Sequence, residues 1–262
     1  MAPRSVLITG ASSGIGRALA LAYAGPGARL ALIGRNPERL EAVAALARQR
    51  GAEVDVGRLD VRDQGAMAQW IGAADARRGF DLCVANAGIT TGLAPGEFYE
   101  DPAAVRAILG INLIGALNTV EPLIAPMLAR GRGQLAFIGS MAGLRGLPYA
   151  PGYCATKAAV HAYSESLRGR LEPAGVTVSL VIAGFVKTPL NDSIDAMKPF
   201  EISDVEAARI IHTGLDRRKA VIAFPWPLHF ATRLSRILPV RLVDKILSRI
   251  AVKAPKTRER ES

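Results

Sequence analysis

The sequence of 262 residues is poor in cysteine and in aromatic side chains, the latter making up 5% of the chain. Cys83 and Cys154 are too few for a disulfide framework and form no metal-like cluster. No uninterrupted apolar run reaches the roughly 18 residues of a membrane-spanning helix, and no secretory signal precedes the first apolar segment. We therefore expect a reduced, cytoplasmic setting. We also expect no metal site, because His161, His212 and His229 lack Glu or Cys at ligand spacing.

The chain also lacks a strongly charged main body. Its net charge is +10, but residues 229–262 alone hold nine basic and three acidic side chains. The rest is only mildly basic, which argues against nucleic acid as a partner. Half of the residues are hydrophobic, and this length fits one medium-sized domain with a single core.

Short apolar segments alternate with helical patterns. The predicted strands are residues 5–9, 28–33, 53–59, 82–85, 134–139 and 176–182, with 219–224 as a candidate last strand. We expect the first six to be apolar on both faces, as in a parallel sheet covered by helices. Segments 16–24 and 37–50 predict amphipathic helices, the second with Leu40, Val43, Ala44 and either Leu46 or Ala47 as its core stripe. This order predicts an α/β fold with a doubly wound parallel sheet, the Rossmann fold.

The first predicted strand runs into a glycine-rich turn that opens a helix. A turn of this kind exposes unpaired N–H groups at the positive end of a helix dipole, and its glycines let the backbone approach a pyrophosphate. The candidate dinucleotide contacts are Gly10, Ser12, Ser13, Gly14, Ile15 and Gly16. Preceded by Thr9, this string resembles that of the short-chain dehydrogenase/reductase family, and the resemblance covers residues 5–190.

The end of the second predicted strand bears on the choice of nicotinamide cofactor. An NAD-preferring enzyme usually has a carboxylate here to bind the ribose 2′-hydroxyl, whereas this chain has Gly34 and then Arg35. A guanidinium suits a 2′-phosphate by its charge and its fork of donors, and Ser12 lies close enough to add a hydroxyl donor. We therefore expect NADP(H) to be preferred over NAD(H).

The resemblance implies further cofactor contacts. Asp60 and Val61 follow the third strand, where the family's aspartate meets the adenine ring. Asn86, Ala87 and Gly88 match the family's Asn-Ala-Gly motif, although Ala85 stands where the family usually has another Asn.

The turn after the sixth strand departs from the family pattern. There Ala183 replaces the family's proline, and we expect the loop to be looser as a result. Gly184 keeps the turn, and Val186 and Thr188 are expected to reach the carboxamide and the pyrophosphate. Residues 190–200 follow as the expected lid over the substrate.

Tyr153 and Lys157 form the candidate reacting pair. They are four residues apart in a helical pattern and therefore share one helix face. A free tyrosine has a pKa near ~10, and we expect the Lys157 ammonium to lower that value so that Tyr153 can donate or accept a proton at neutral pH. Lys157 is also a candidate for binding the nicotinamide ribose.

Two polar residues complete the candidate catalytic group. Ser140 ends the fifth predicted strand, where its hydroxyl could hold the substrate oxygen beside Tyr153. Asn112 is expected in the middle of a helix, an unfavourable place for Asn that suggests a polar task. In the family the matching Asn holds a water that links the Lys to solvent as a proton relay.

These residues together predict an NADP(H)-dependent oxidoreductase that interconverts a carbonyl and an alcohol. Its substrate is expected to be a small and rather lipophilic molecule, and its assembly a homodimer or a higher homo-oligomer. The alternatives are a non-catalytic NADPH-binding sensor and a membrane-recruited interaction protein. The four polar residues favour the enzyme.

The C-terminal end departs from the family's common ending. We assign residues 1–224 to the dinucleotide-binding and catalytic domain, 225–252 to an amphipathic basic helical extension and 253–262 to a disordered tail. Helices are predicted at 229–238 and 240–252. The apolar stripe of the second is Val240, Val243, Ile246, Leu247 and Ile250. This stripe either folds back on the core or a partner subunit, or residues 229–253 bind an anionic membrane surface.

Overall fold

The computed structural model describes residues 4–93, 97–192, 195–196, 198–247 and 252–253. Seven of its strands form one parallel sheet in the order β10-β6-β5-β4-β1-β2-β3. The strands are β1 (Ser5–Thr9), β2 (Arg29–Gly34), β3 (Glu53–Arg58), β4 (Leu82–Ala85), β5 (Gly133–Ser140), β6 (Val176–Ala183), β7 (Val186–Lys187), β8 (Asp195–Ala196), β9 (Ile202–Ser203), β10 (Val221–Phe224) and β11 (Val252–Lys253). The predicted doubly wound parallel sheet is confirmed, and the candidate last strand is β10.

Helices cover both faces of the sheet. They are α1 (Gly14–Tyr23), α2 (Pro37–Gln49), α3 (Gln64–Arg77), α4 (Pro102–Ile108), α5 (Gly115–Arg130), α6 (Pro151–Leu171), α7 (Pro189–Asp192), α8 (Asp204–Asp216), α9 (Trp226–Leu234) and α10 (Val240–Leu247). Helices α1, α2 and α8 bury their apolar faces on one side of the sheet, and α3, α5 and α6 do so on the other. The chain therefore has two core layers separated by the sheet.

The burial of the strands follows their position in the sheet. Every residue of β1, β2 and β4 is buried, as expected for strands with helices on both faces. The expectation is wrong for β3, which is largely half-buried and exposed because it is the edge strand and has a neighbour on one side only. The core stripe of α2 is as predicted, with Ala47 rather than Leu46 as its last member, since Leu46 is exposed.

The C-terminal extension is only partly as predicted. Helix α9 begins at Trp226, three residues earlier than expected, with Pro227 in its first turn, where a proline costs no hydrogen bond. The prediction of a helix up to Val252 is wrong, because β11 pairs there in an antiparallel way with β8, in the predicted lid. Lys253 belongs to β11 rather than to a disordered tail. Residues 193–194 and 197 of the lid, 248–251 of the helix and 254–262 of the tail lie outside the described residues.

The apolar stripe of α10 is divided between the protein and the solvent. Val243 is buried, whereas Val240 is exposed. Asp244, next to Val243, forms an ion pair with Arg145. Arg145 lies in the loop that follows β5. One face of α10 therefore contacts the rest of the chain, as the first of the two predictions requires, and the other face points to solvent.

One helical stretch within the described residues, Pro102–Arg130, is long and apolar enough to cross a membrane by length and composition. It joins α4 and α5 through a π-helical turn, Leu109–Ile114. No uninterrupted apolar run in the sequence indicated this stretch, because polar residues interrupt it. Val120, Leu123 and Met127 of this stretch are buried in the second core layer. A core helix passes the same test, so the finding is weak evidence of a span.

A buried arginine links the sheet to α3. Arg29 of β2 is 2% exposed, and its guanidinium donates to Asp55 Oδ2 from Nε at 3.0 Å and from Nη2 at 2.7 Å. It also donates to the carbonyl oxygens of Ala74 and Arg78 at 3.0 and 2.5 Å and lies over the ring of Phe80. A buried charge needs this complete set of partners, because removing one partner leaves the others desolvated and unpaired.

We therefore predict that Arg29→Ala lowers the free energy of unfolding by about 3 kcal/mol or more, since two carbonyls lose their donor and Asp55 keeps only its ion pair with the exposed Arg77. Arg48→Ala is the matched control. Its exposed ion pair with Glu41 should contribute less than about 1 kcal/mol. Urea unfolding of both variants measures the difference, and equal losses would contradict the role given to Arg29.

Candidate active site

A cavity of about 690 Å³ runs along the carboxyl ends of the parallel strands. Most of the predicted site residues line it. They are Gly10, Ser12, Ser13, Gly14, Ile15, Arg35, Asp60, Val61, Asn86, Ala87, Gly88, Ser140, Tyr153, Lys157, Gly184, Val186 and Thr188. Gly16 and Asn112 do not line the cavity. The topology places the sheet's reversal point between β1 and β4, so loops leaving these strands diverge and leave a crevice.

The glycine-rich turn after β1 is built for close backbone approach. Gly10 has φ +65°, and a Cβ there would lie 2.8 Å from Ala87 Cα. A Cβ on Gly16 would lie 2.3 Å from the carbonyl oxygen of Gly10, so Gly16 shapes the turn without touching the cavity. Ser13 occupies the N-cap of α1, but its side chain makes no capping hydrogen bond. The first N–H groups of α1 are therefore left for an anion, and the dipole of the helix favours one.

Two arginines border the far end of the cavity. Arg35 follows β2 and is exposed, and Arg39, on the first turn of α2, lines the same wall. Sequence reasoning missed Arg39, although its place one helical turn after Arg35 is a signal that could have found it. Asp60 accepts hydrogen bonds from Arg62, whose guanidinium holds the pKa of the Asp60 carboxyl below its ordinary value, and the charge of Arg35 acts in the same direction. This end of the cavity therefore carries positive charge.

Side-chain amides fix the loops that surround the crevice. Asn86 Nδ2 donates to the carbonyl oxygens of Thr9 and Gly10 at 2.9 and 3.3 Å, and the Thr9 hydroxyl accepts from the Asn86 N–H at 3.1 Å. Asn118, which the sequence did not single out, donates to the carbonyl oxygen of Val61 at 2.9 Å. The β1, β3 and β4 loops are thereby held in place before any ligand binds.

Tyr153 and Lys157 face the cavity from α6, with Lys157 Nζ 5.6 Å from the centroid of the tyrosine ring. Burial raises the pKa of Tyr153 to about 12, and a hydrogen bond with Ser140 partly offsets this. Burial also lowers the pKa of Lys157 to about 8. The Tyr153 pKa therefore lies above its ordinary value, contrary to the expectation that Lys157 brings it below, because desolvation of the phenol outweighs the lowering effect of the Ser140 hydrogen bond. Lys157 Nζ donates instead to the carbonyl oxygen of Ile138 at 2.8 Å.

Asn112 lies behind Tyr153 and Lys157, in the π-helical turn between α4 and α5. Its Oδ1 accepts from the Ile89 N–H at 2.8 Å, and its Nδ2 donates to the Ile89 carbonyl at 2.9 Å and to Thr156 Oγ1 at 3.3 Å. Asn112 thereby fixes the loop after β4 against α6, and its expected part in a proton relay stays a prediction. A π-turn is a known way to bring a helix side chain into such a position.

His161, which was not predicted to take part in the site, contacts the backbone of Ser140. The Ser140 N–H donates to His161 Nε2 at 3.3 Å, while Ser140 Oγ accepts from the Ala142 N–H at 3.1 Å. A Cβ on Gly139 or on Gly143 would lie within 3 Å of the imidazole, so both glycines make room for it. Burial, aided by the charge of Lys157, lowers the pKa of His161 to about 4, which keeps the ring neutral and its Nε2 an acceptor.

The wall beyond Tyr153 is mostly apolar. Its members are Met141, Leu147, Tyr149, Ala150, Phe185, Leu190 and Leu228. Cys154 serves as a packed residue that also accepts from the Leu147 N–H at 3.2 Å, which holds this loop over the cavity. Leu228 comes from α9, so the C-terminal extension supplies part of the wall. The sequence predicted the lid but gave no sign that α9 would reach the site.

The start of the loop after β6 is held by the sheet despite the missing proline. Ala183 continues β6 and pairs with Ser140 on one side and Phe224 on the other. The Gly184 N–H then donates to the Phe224 carbonyl at 2.8 Å. The pairing with β5 and β10 thus extends to the last residue of the strand, and the expected looser loop beyond it stays a prediction. Among the described residues, no group of three or more His, Cys, Asp or Glu side chains is arranged to bind a metal ion.

Comparison with known proteins gives concordant matches. Residues 4–199 match the family model described as short chain dehydrogenase. An uncharacterized oxidoreductase of Myxococcus xanthus is 38% identical over 253 residues, which cover 95% of this chain and 98% of that protein. A short-chain dehydrogenase from Sphingobium yanoikuyae, solved in complex with NADPH, superposes with a TM-score of 0.76 at 28% identity, covering 94% of this chain and 96% of that one. The bulky-bulky ketone specific alcohol dehydrogenase from Comamonas testosteroni gives 0.75 at 25% identity and 95% coverage of each chain.

The neutral His161 predicts a pH dependence of stability. The unfolded chain binds a proton at this histidine below pH ~6.5, whereas the folded chain does so only near its pKa of about 4. The free energy of unfolding should therefore fall as pH drops from 6.5 to 4, by a few kcal/mol in total.

The variant His161→Gln, whose amide oxygen can still accept from the Ser140 N–H, should flatten this part of the profile. Urea midpoints measured at intervals across the window test it. Carboxylates titrate in the same range in both proteins and cancel in the comparison. Identical slopes for the wild type and the variant would show that His161 is not the group responsible.

Proposed function

The chain belongs to the short-chain dehydrogenase family of oxidoreductases, and on this premise we propose that it interconverts a carbonyl and an alcohol with NADP(H), using Tyr153 as the acid and base. The single observation that carries the proposal is the meeting of Ser140, Tyr153 and Lys157 in one cavity with the glycine-rich turn. The sensor alternative is not favoured, since a site for binding alone needs no phenol beside a strand-end hydroxyl.

The protonation state of Tyr153 suits reduction of a carbonyl. With its pKa raised to about 12, the phenol carries its proton at neutral pH and can donate it to a carbonyl oxygen. Ser140, hydrogen-bonded to Tyr153 and fixed by His161, would hold the same oxygen. The ammonium of Lys157 would stabilise the phenolate that remains after the transfer.

The cavity fits a nicotinamide dinucleotide. The open N–H groups at the start of α1 match a pyrophosphate, and backbone at Ala87 and Gly88 leaves room for a ribose. Val186 and Thr188 would contact the carboxamide and the pyrophosphate from the other side. When bound, the cofactor supplies or accepts the hydride. The protein then orients both partners and excludes water from between them.

Preference for NADP(H) over NAD(H) is proposed from the charge at the far end of the cavity. Arg35 and Arg39 offer two guanidinium groups where the adenosine ribose would lie, and Ser12 lies next to Gly34 at the end of β2. Arg35 is itself close enough to Asp60 to lower the pKa of that carboxyl. A 2′-phosphate would be attracted by both arginines, whereas a 2′-hydroxyl gains little from either.

The substrate class proposed is a lipophilic ketone or aldehyde, with its alcohol as product. Met141, Leu147, Phe185 and Leu228 present an apolar wall beyond Tyr153, and a specific polar substrate would need paired polar groups there. The bulky-ketone specificity of the Comamonas relative agrees with this choice. Assembly as a homodimer or higher homo-oligomer and a cytoplasmic location stay predictions.

We predict that Tyr153→Phe lowers turnover of a reactive ketone by at least about a hundredfold, because the proton donor is lost, while NADPH affinity changes little. Tyr163→Phe is the matched control, since Tyr163 lies on the same helix, packs against Phe137 and is outside the cavity wall. NADPH consumption and fluorescence titration give the two readouts. Retained turnover in Tyr153→Phe would rule out the proposed acid.

We also predict that Arg35→Asp raises the KM for NADPH by about ten- to a hundredfold, as expected for loss of a charged hydrogen bond and addition of a like charge. The KM for NADH should change far less. Arg39→Ala should give a smaller effect of the same kind.

Arg48→Asp makes the same change of charge at an exposed residue of α2 outside the cavity. It should leave the KM values for NADPH and NADH unchanged. Steady-state kinetics with each cofactor provides the comparison. An equal effect of Arg35→Asp on the KM values for NADPH and NADH would contradict the proposed preference for NADP(H).

A further inference from the structure

An unusual apolar surface lies on the outer side of α9 and the turn that follows it. Trp226, Phe230, Leu234 and Ile237 recur every three or four residues, and their side chains are exposed by 75, 63, 43 and 80%. Such spacing aligns them on one side of the helix. We name these four residues the α9 stripe. Contiguous apolar surface of this kind marks an interaction site in a water-soluble protein, whereas single exposed apolar residues do not.

Basic side chains border the α9 stripe. Arg233, Arg236 and Arg241 are all exposed, and none forms an ion pair with a carboxylate of the described residues. Asp244, the acidic residue in the described part of this region, already forms an ion pair with Arg145. The surface therefore combines exposed aromatic and aliphatic side chains with uncompensated positive charge.

We propose that the α9 stripe and its flanking arginines bind the surface of a bilayer that contains anionic lipids. The apolar side chains would enter the boundary between headgroups and acyl chains, and the guanidinium groups would lie at the level of the phosphates. Trp226 suits this depth because its indole has an apolar body and a polar N–H. Electrostatic attraction and apolar burial act together here, as in other helices that lie in a membrane interface.

A second copy of the chain is a poorer occupant of the same surface. In a two-fold symmetric dimer the patch would meet itself, which would bring the arginines of both copies together. Among the residues that the structure describes here, the surface offers no free carboxylate to meet them, since Asp244 is paired within the chain. Like charges facing each other would oppose such an interface, whereas anionic lipid compensates them.

The inner side of α9 faces the catalytic cavity. Leu228 lines the cavity, and His229, next to it, lies close enough to His161 for its charge to affect the pKa of that ring. One short helix thus separates the substrate end of the cavity from the surface proposed to meet lipid. A substrate dissolved in the bilayer would reach the cavity along this helix. This last step rests on the proposed function, but the binding of the bilayer does not.

Flotation of the full-length protein with vesicles tests the binding. We expect co-flotation with vesicles of equimolar phosphatidylcholine and phosphatidylserine, little with phosphatidylcholine alone, and weakening at high salt. Phe230→Glu, and separately the pair Arg233→Glu and Arg236→Glu, should reduce the bound fraction roughly tenfold or more.

Matched controls distinguish this surface from general charge or hydrophobicity. Val205→Glu makes the same kind of change at an exposed residue of α8, on the other side of the sheet. The pair Arg132→Glu and Arg217→Glu changes the net charge equally at exposed residues away from α9. Both controls should retain most of the wild-type flotation. Flotation reduced equally by controls and test variants would refute the assignment of the surface.

Two further results would overturn the proposal. One is wild-type protein that does not float with the anionic vesicles. The other is wild-type protein that binds no vesicles but forms a dimer in analytical ultracentrifugation, with Phe230→Glu dissociating that dimer. This result would make the α9 stripe an interface between copies of the chain. Turnover of a water-soluble ketone is measured for Phe230→Glu and for the wild type, so that a loss of vesicle binding can be distinguished from a loss of the proposed activity. A chain that floats but reduces no ketone would retain the surface and lose the proposed function.

Discussion

The close contact between the turn after β1 and the loop after β4 is the constraint on which the rest of the site depends. A Cβ on Gly10 would collide with Ala87, and the amide of Asn86 is hydrogen-bonded to the carbonyls of Thr9 and Gly10. This junction lies where the strand order reverses, so it sets the width of the crevice. The open start of α1 and the cavity beside it both follow from the geometry of that junction.

Desolvation is the dominant electrostatic effect within the site. It raises the pKa of Tyr153, lowers that of Lys157 and keeps His161 neutral. Each shift favours the uncharged form of its group, as expected where water is excluded. A protonated phenol, an ammonium with a lowered pKa and a neutral imidazole acceptor then form one polar cluster near Ser140. The cluster is prepared to donate a proton, which agrees with reduction as the proposed direction.

Much of the site could be predicted from the sequence, because its residues lie at strand ends and at fixed helical spacing. The glycine-rich turn, Ser140 and the pair Tyr153 and Lys157 all lie in the cavity wall. Other residues gave no comparable signal. His161 reaches Ser140 only because α6 packs beneath β5, and Arg29 looks like an ordinary residue of a strand until its partners from α3 and β3 are in place. Contacts between residues distant in sequence cannot be read from periodicity.

The fold class, the order of the strands along the chain and the residue types of the reacting group were determined by the sequence itself, because hydrophobic periodicity and short-range spacing encode them. The tertiary structure decided three other matters: the raised pKa of Tyr153, the hydrogen bonds by which Asn112 fixes the loop after β4, and the position of α9 between the cavity and the solvent. Each depends on burial or on contacts across the sheet. The free energy of transferring a group from water to the protein interior is a property of its surroundings, and those surroundings exist only after the chain has folded.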